Sequence, residues 1–119
     1  MNETSKLIEQ ITEGIQNKKG KKIIIADLSR IDDTICNYFV ICQGGSPTQV
    51  SAIVDSVREY AQRGADSRPL RIDGLRNASW VAMDYADVLV HVFLPETRSF
   101  YDLEHLWADA KITTIPDEE

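Results

Sequence analysis

The 119-residue chain has little of what most function classes require. Its cysteines are two, Cys36 and Cys42. On one extended segment their side chains stand about 20 Å apart, too far for a disulfide. No Cys or His pair occurs at metal-ligand spacing, so two reduced strand cysteines are expected. No stretch approaches the roughly 18 apolar residues of a membrane span. The opening segment, MNETSKLIEQ, carries no apolar run of signal-peptide length, and a cytoplasmic protein is the expectation. Basic residues are also scarce, with 13 Lys and Arg against 19 Asp and Glu, for a formal net charge of −6. The deficit is local. Residues 1–60 carry 8 acids and 7 bases, whereas residues 84–119 carry 9 acids against only Arg98 and Lys111. An acidic surface repels phosphate backbones and attracts basic proteins, so nucleic acid is not expected as the main contact of this half.

Catalytic constellations are missing too. The Gly45-Ser46 turn precedes a helix and resembles a phosphate-cradling turn of nucleotidyltransferases. Those enzymes also hold metal on a carboxylate pair borne by a strand; here Asp84 and Asp87 bracket a turn instead. His91 lies inside an apolar strand, where it reads as a core or groove-lining histidine. His105 reads as part of a helix's polar face. No serine or cysteine has triad spacing, so no enzyme is expected, and neither a cofactor nor a metal.

What is present is the pattern of one α/β domain. Hydrophobic residues make up 43% and charged residues 27%, as in globular proteins, and the length suffices for a core without staples. Leu7, Ile8, Ile11 and Ile15 stand at helical spacing over residues 3–18, with Gly20 as a stop. Ile23–Leu28 and Asn37–Gln43 read as strands around a polar connection. Ser46, Pro47 and Gln49 are an N-cap, a first-turn proline and a capping-box glutamine. The helix they open carries Val50, Ile53, Val54 and Val57 and is expected to stop at Gly64. Pro69–Asp73 reads as an edge strand. Ser79–Met83 and Asp87–Leu94 form a hairpin across Asp84–Tyr85–Ala86–Asp87. In its second arm Val88, Val90, Val92 and Leu94 face one way and Leu89, His91 and Phe93 the other, so this strand belongs in the middle of a sheet. A last helix, from about Glu96 to Ala110, is expected to give Phe100, Leu103, Leu106, Trp107 and Ala110 to the core. The order is α-β-β-α-β-β-β-α: a single mixed sheet of about five strands flanked by helices. One domain is expected over residues 1–112, with a flexible acidic tail over 113–119.

Surplus aromatic character concentrates late in the chain, at Trp80, Tyr85, Phe100, Tyr101 and Trp107. Trp80 shares a strand face with Asp84, opposite Val81 and Met83. Aromatic rings beside charged groups are common anchors of protein interfaces.

Several runs match a known family. They are Asp27-Leu28-Ser29; Asn37-Tyr38-Phe39-Val40-Ile41-Cys42 leading to Gly44 and Ser46; Gln49-Val50 with Ala52-Ile53; and Asp73-Gly74. Trp80-Val81, Asp84-Tyr85, Asp87, Val90-His91-Val92-Phe93 and Arg98-x-Phe100-Tyr101-x-Leu103-Glu104-x-Leu106-Trp107 complete the set. With these the chain resembles the ribosomal silencing factor family (RsfS, Iojap-like) from about Asp27 to Ala110. It departs from the family's usual residues at Asp73 (Glu), Ala86 (Gly) and Asn37 (Asp). The resemblance implies a mixed sheet shaped like a nucleotidyltransferase without the catalytic carboxylates. It implies a non-enzymatic factor that binds large-subunit ribosomal protein fourteen (the uL14 family), blocks subunit joining and lowers translation when nutrients are short. A large-subunit assembly factor is the alternative, and a nucleotidyltransferase-like enzyme using Gly45-Ser46 a more distant one. Homodimers are implied for the free protein. The partner surface expected on these residues comprises Trp80, Val81, Asp84 and Tyr85, supported by Arg98, Tyr101 and Glu104. Trp80 and Tyr85 would be apolar anchors, and Asp84 and Glu104 acceptors for Lys or Arg.

Overall fold

The computed structural model describes residues 3–29, 37–101 and 110–117. Helix α1 (Glu3–Asn17) forms where the helical repeat of Leu7, Ile11 and Ile15 makes one apolar stripe, and all three are buried. It ends in a Schellman turn: Gly20 N–H donates to the Ile15 carbonyl and Lys19 N–H to the Gln16 carbonyl, each at 2.9 Å. The left-handed residue is Lys19 (φ 60°) rather than the expected Gly20.

Helix α2 (Pro47–Ala65) starts as its sequence predicts, with Ser46 Oγ accepting from Gln49 N–H at 3.1 Å. Gln49 departs from a standard capping box. Its Oε1 accepts from Gly45 N–H at 2.7 Å, while its Nε2 donates to the Lys18 and Lys19 carbonyls. One side chain thereby ties the start of α2 to the end of α1. The helix runs through Gly64 to Ala65, and the left-handed cap falls on Asp66 (φ 48°). The two helices approach closely at Gly14, where a Cβ would lie 3.0 Å from the Ser56 carbonyl oxygen. Ser56 Oγ fills the gap by donating to the Gly14 carbonyl at 2.7 Å.

The strands are β1 (Lys21–Asp27), β2 (Tyr38–Gln43), β3 (Arg71–Asp73), β4 (Trp80–Asp84), β5 (Val88–Phe93) and β6 (Lys111–Ile115). They form one mixed sheet in the order β3-β4-β5-β2-β1-β6. Among the described residues only β2 and β5 pair in parallel, across the crossover that contains α2. The doubly apolar β5 is interior and the proline-led β3 is an edge, as expected. The sixth strand is a correction. Residues 113–115, read as part of a flexible tail, belong to β6, which pairs antiparallel with β1 from Asp27↔Lys111 to Ile23↔Ile115. The cause is visible in the β-branched run Ile112-Thr113-Thr114-Ile115, whose last residue packs against the main core. Beyond the strand, Asp117 Oδ1 accepts from Lys22 N–H at 2.8 Å.

The sheet has two unlike faces. One packs Val40, Val81, Met83, Val88, Val90 and Val92 against the apolar stripes of α1 and α2. The other carries a smaller core of Ala26, Leu28, Phe39, Ile41 and Phe93, with Trp80, Leu89 and Ala110 against it. The expected last helix is described as α3 (Pro95–Tyr101). Leu103, Leu106 and Trp107 lie outside the described residues, as does Cys36. Phe100, expected in the core, is 81% exposed. The reason is helical geometry. Arg98 is buried, and two residues on a helix differ by about 200°, so Phe100 points away from the sheet.

Candidate interaction surface

The Trp80–Tyr85 strand and turn are positioned from both ends. Before the strand, Gly74 (φ +96°) stands so close to the Trp80 carbonyl that a Cβ there would meet the oxygen at 2.0 Å. Only glycine fits that conformation and that contact. Ala78 N–H donates to the Gly74 carbonyl at 3.0 Å and closes the loop. After the strand, Asp84 Oδ1 accepts from Ala86 N–H at 2.8 Å. Asp87 N–H donates to the Tyr85 carbonyl at 2.9 Å, a γ-turn with Ala86 at φ 71° in its centre. The turn thus does ask for a left-handed residue, and this chain supplies alanine.

Alternation along β4 divides the expected site residues between the two faces. Trp80 and Asp84 lie on the face opposite the helices and are partly exposed, with buried Val81 and Met83 between them on the other face. Val81 is fully buried in the helix-covered core, so it cannot touch a partner. Tyr85 is also buried in that core, and its hydroxyl has no hydrogen-bond partner among the described residues. Burial pushes its phenol up to about 12, against the opposing pull of Arg58 on α2. The expectation of Tyr85 as an exposed anchor is therefore corrected. A turn position does not require an outward ring, and this ring follows the Val81–Met83 side of the strand.

Arg98 is likewise a brace. It is 7% exposed, and its Nη1 donates to the Lys22 carbonyl at 2.6 Å and contacts Gln43 Oε1 at 3.4 Å. Lys22 (φ 54°) lies where the β1–β2 register shifts, so Arg98 satisfies a carbonyl of that irregular stretch. Tyr101 is the last residue of α3, and Glu104 lies outside the described residues.

Trp80 is held by Phe93 and His91, and His91 is backed by a third ring. Its indole stacks on Phe93 (centroids 5.1 Å, planes 24° apart) and its Nε1–H donates to His91 Nδ1 at 3.0 Å. His91 in turn meets Phe39 edge-on at 4.9 Å. Only 4% of His91 is exposed, and burial holds its imidazole down at about 4. Because Nδ1 accepts, the proton of the neutral ring sits on Nε2, which is buried with no hydrogen-bond partner among the described residues. Read from the sequence as a core or groove-lining histidine, His91 is buried, and its bond to Trp80 is what sequence reasoning missed. The hairpin register carried the signal, since Trp80 pairs with Phe93 and Ala82 with His91, which makes Trp80 and His91 diagonal neighbours on one face.

Other chemistry is thinly supported. The thiol of Cys42 is fully buried and pushed up to about 12 by burial, the reverse of an activated nucleophile. The Gly45 N–H, which a phosphate would use, is taken by Gln49. Among the described residues no group of three or more His, Cys, Asp and Glu could hold a metal ion, and no helix is long and apolar enough to cross a membrane.

The fold and site therefore define a small mixed-sheet protein that presents a pre-set aromatic and acidic surface. The family described as "Ribosomal silencing factor during starvation" matches residues 1–119, and the chain belongs to that family. It is similar to the ribosomal silencing factor RsfS of Halalkalibacterium halodurans, with 35% identity over 105 residues that cover 87% of each chain. It is 37% identical over 73 residues to a mouse protein named "Mitochondrial assembly of ribosomal large subunit protein 1", covering 60% of this chain and 32% of that one. A crystal structure of a Chromobacterium violaceum protein superposes with a TM-score of 0.83 at 31% identity, covering 96% of this chain and 92% of that one.

Proposed function

We propose that this protein silences the ribosome by occupancy: it binds the large subunit through ribosomal protein fourteen and keeps the small subunit from joining. The observation that carries the reading is Trp80, a large aromatic ring left partly exposed yet fixed by Phe93 and His91. A fixed ring pays little entropy on binding, which is the property of an interface anchor. Asp84 lies on the same face and offers a carboxylate to a basic partner. The net acidity of residues 84–119 steers such a partner and sets its orientation. Occlusion needs affinity and bulk rather than catalysis, which accords with a buried Cys42 and an engaged Gly45-Ser46 turn.

In this reading Trp80 and Asp84 make contact, while Val81, Tyr85 and Arg98 brace them from within. Tyr101 and Glu104 keep a contact role on their motif. A factor that acts on free subunits works in the cytoplasm. A second reading, large-subunit assembly, is favoured by the name of the mouse relative. It uses the same surface.

The test is co-sedimentation with separated subunits. The protein is expected to travel with large and not small subunits, and to shift a joining equilibrium toward free subunits. Absence from the large-subunit fraction at low salt would overturn the proposal. Free-subunit levels in starved cells lacking the protein separate silencing from assembly.

A further inference from the structure

We infer that the groove between α3 and the start of β4 is a receptor for one arginine side chain of a basic protein partner. This rests on the proposed function and names the chemistry by which that surface would select its partner. The groove has a volume of about 360 Å³ and is lined by Ser79, Trp80, Glu96, Thr97 and Phe100. Its aromatic walls come from two different elements. Trp80 is fixed by Phe93 and His91 and also lines the groove. Phe100 is 81% exposed because the buried Arg98 fixes the rotation of α3.

The third component is charge. Glu96 and Phe100 are four residues apart and so share one side of α3. Glu96 is exposed and forms no ion pair among the described residues. Two aromatic surfaces with a carboxylate beside them match a guanidinium, which is flat, weakly hydrated and able to stack on a ring while its fork meets a carboxylate. Lysine would gain the charge contact but less of the stacking. Phosphate would face Glu96 in a region already carrying net negative charge, which disfavours a nucleic-acid backbone. The occupant is thus a basic polypeptide, with arginine as the inserted side chain.

Two measurements test this, and the second does not need the ribosome. In co-sedimentation with purified large subunits, Phe100→Ala and Glu96→Lys should each weaken binding about tenfold, the scale of a central interface residue. Thermal melting of both variants should match the parent, since both side chains are exposed. Wild-type binding with both variants within twofold of it would overturn the groove while leaving the ribosomal reading intact. In the second experiment, tri-arginine amide is titrated into the labelled protein and the Trp80 indole N–H resonance is followed. It should shift, shift less with tri-lysine amide, and stay still in Glu96→Lys. No response to tri-arginine, or a response to adenosine monophosphate alone, would overturn the inference. If the wild type fails to bind large subunits, the ribosomal reading falls and the titration still decides the groove.

Discussion

The two faces of the sheet are built from adjacent residues of the same strands, yet they are packed differently. The helix-covered face is mostly aliphatic: Val40, Val81, Met83, Val88, Val90 and Val92 meet the stripes of α1 and α2. The opposite face is smaller and mixed, with Trp80, His91, Phe93 and Phe39 interlocked by ring contacts and one hydrogen bond. Close-packed aliphatic layers supply stability, whereas a polar ring network fixes the direction of a side chain. Stability should therefore reside mainly on the first face and recognition on the second.

The largest effect is expected where the first face is thinned. Ile53 is fully buried between α2 and the sheet, and Ile53→Ala should cost about 3–4 kcal/mol in chemical denaturation. Ribosome binding per folded molecule should not change.

Next is the pH response of the second face. Burial lowers His91 from 6.5 to about 4. Above pH 6.5 both folded and unfolded states hold a neutral ring and its full contribution is present. As the pH falls from 6.5 toward 4 the unfolded chain takes up the proton first, so stability is lost, by about 3 kcal/mol in all. Protonation would also set a proton on Nδ1 against the Trp80 indole N–H. His91→Phe should remove this slope from denaturation midpoints measured across that range.

Arg98→Ala should cost about 2 kcal/mol by leaving the Lys22 carbonyl without its charged donor, and should lower the melting temperature accordingly. The smallest change runs the other way. Ala86 sits at φ 71°, where an L side chain is strained, so Ala86→Gly should raise stability by about 0.5 kcal/mol once the added chain entropy is subtracted. Calorimetry resolves a shift of that size.

Much of the scaffold was legible from local chemistry. The Ser46-Pro47 start, the hairpin across residues 84–87 and the two-faced β5 are each written in a few neighbouring residues, and each forms as read; Gln49 alone turns from its expected capping box to bridge the two helices. β6 was missed because four β-branched residues before an acidic end resemble a tail until β1 offers them an edge. The site was half legible. Strand alternation placed Trp80 with Asp84 and apart from Val81, but a turn residue has no alternation to obey, so the inward ring of Tyr85 could not be read. Phe100 was misread for a related reason. A helical stripe shows which residues align, and here the tertiary bond from Arg98 to the Lys22 carbonyl sets which side faces in.

The division of labour between the faces is tested most directly by subunit joining, followed by light scattering, in the presence of Trp80→Ala/Asp84→Lys and, separately, Val81→Ala. Both are measured at a temperature where each remains folded. Trp80→Ala/Asp84→Lys is expected to let subunits join as if no factor were present, while Val81→Ala blocks joining as the parent does despite its lower stability. Full blocking by the Trp80→Ala/Asp84→Lys protein would contradict the assignment of recognition to that face.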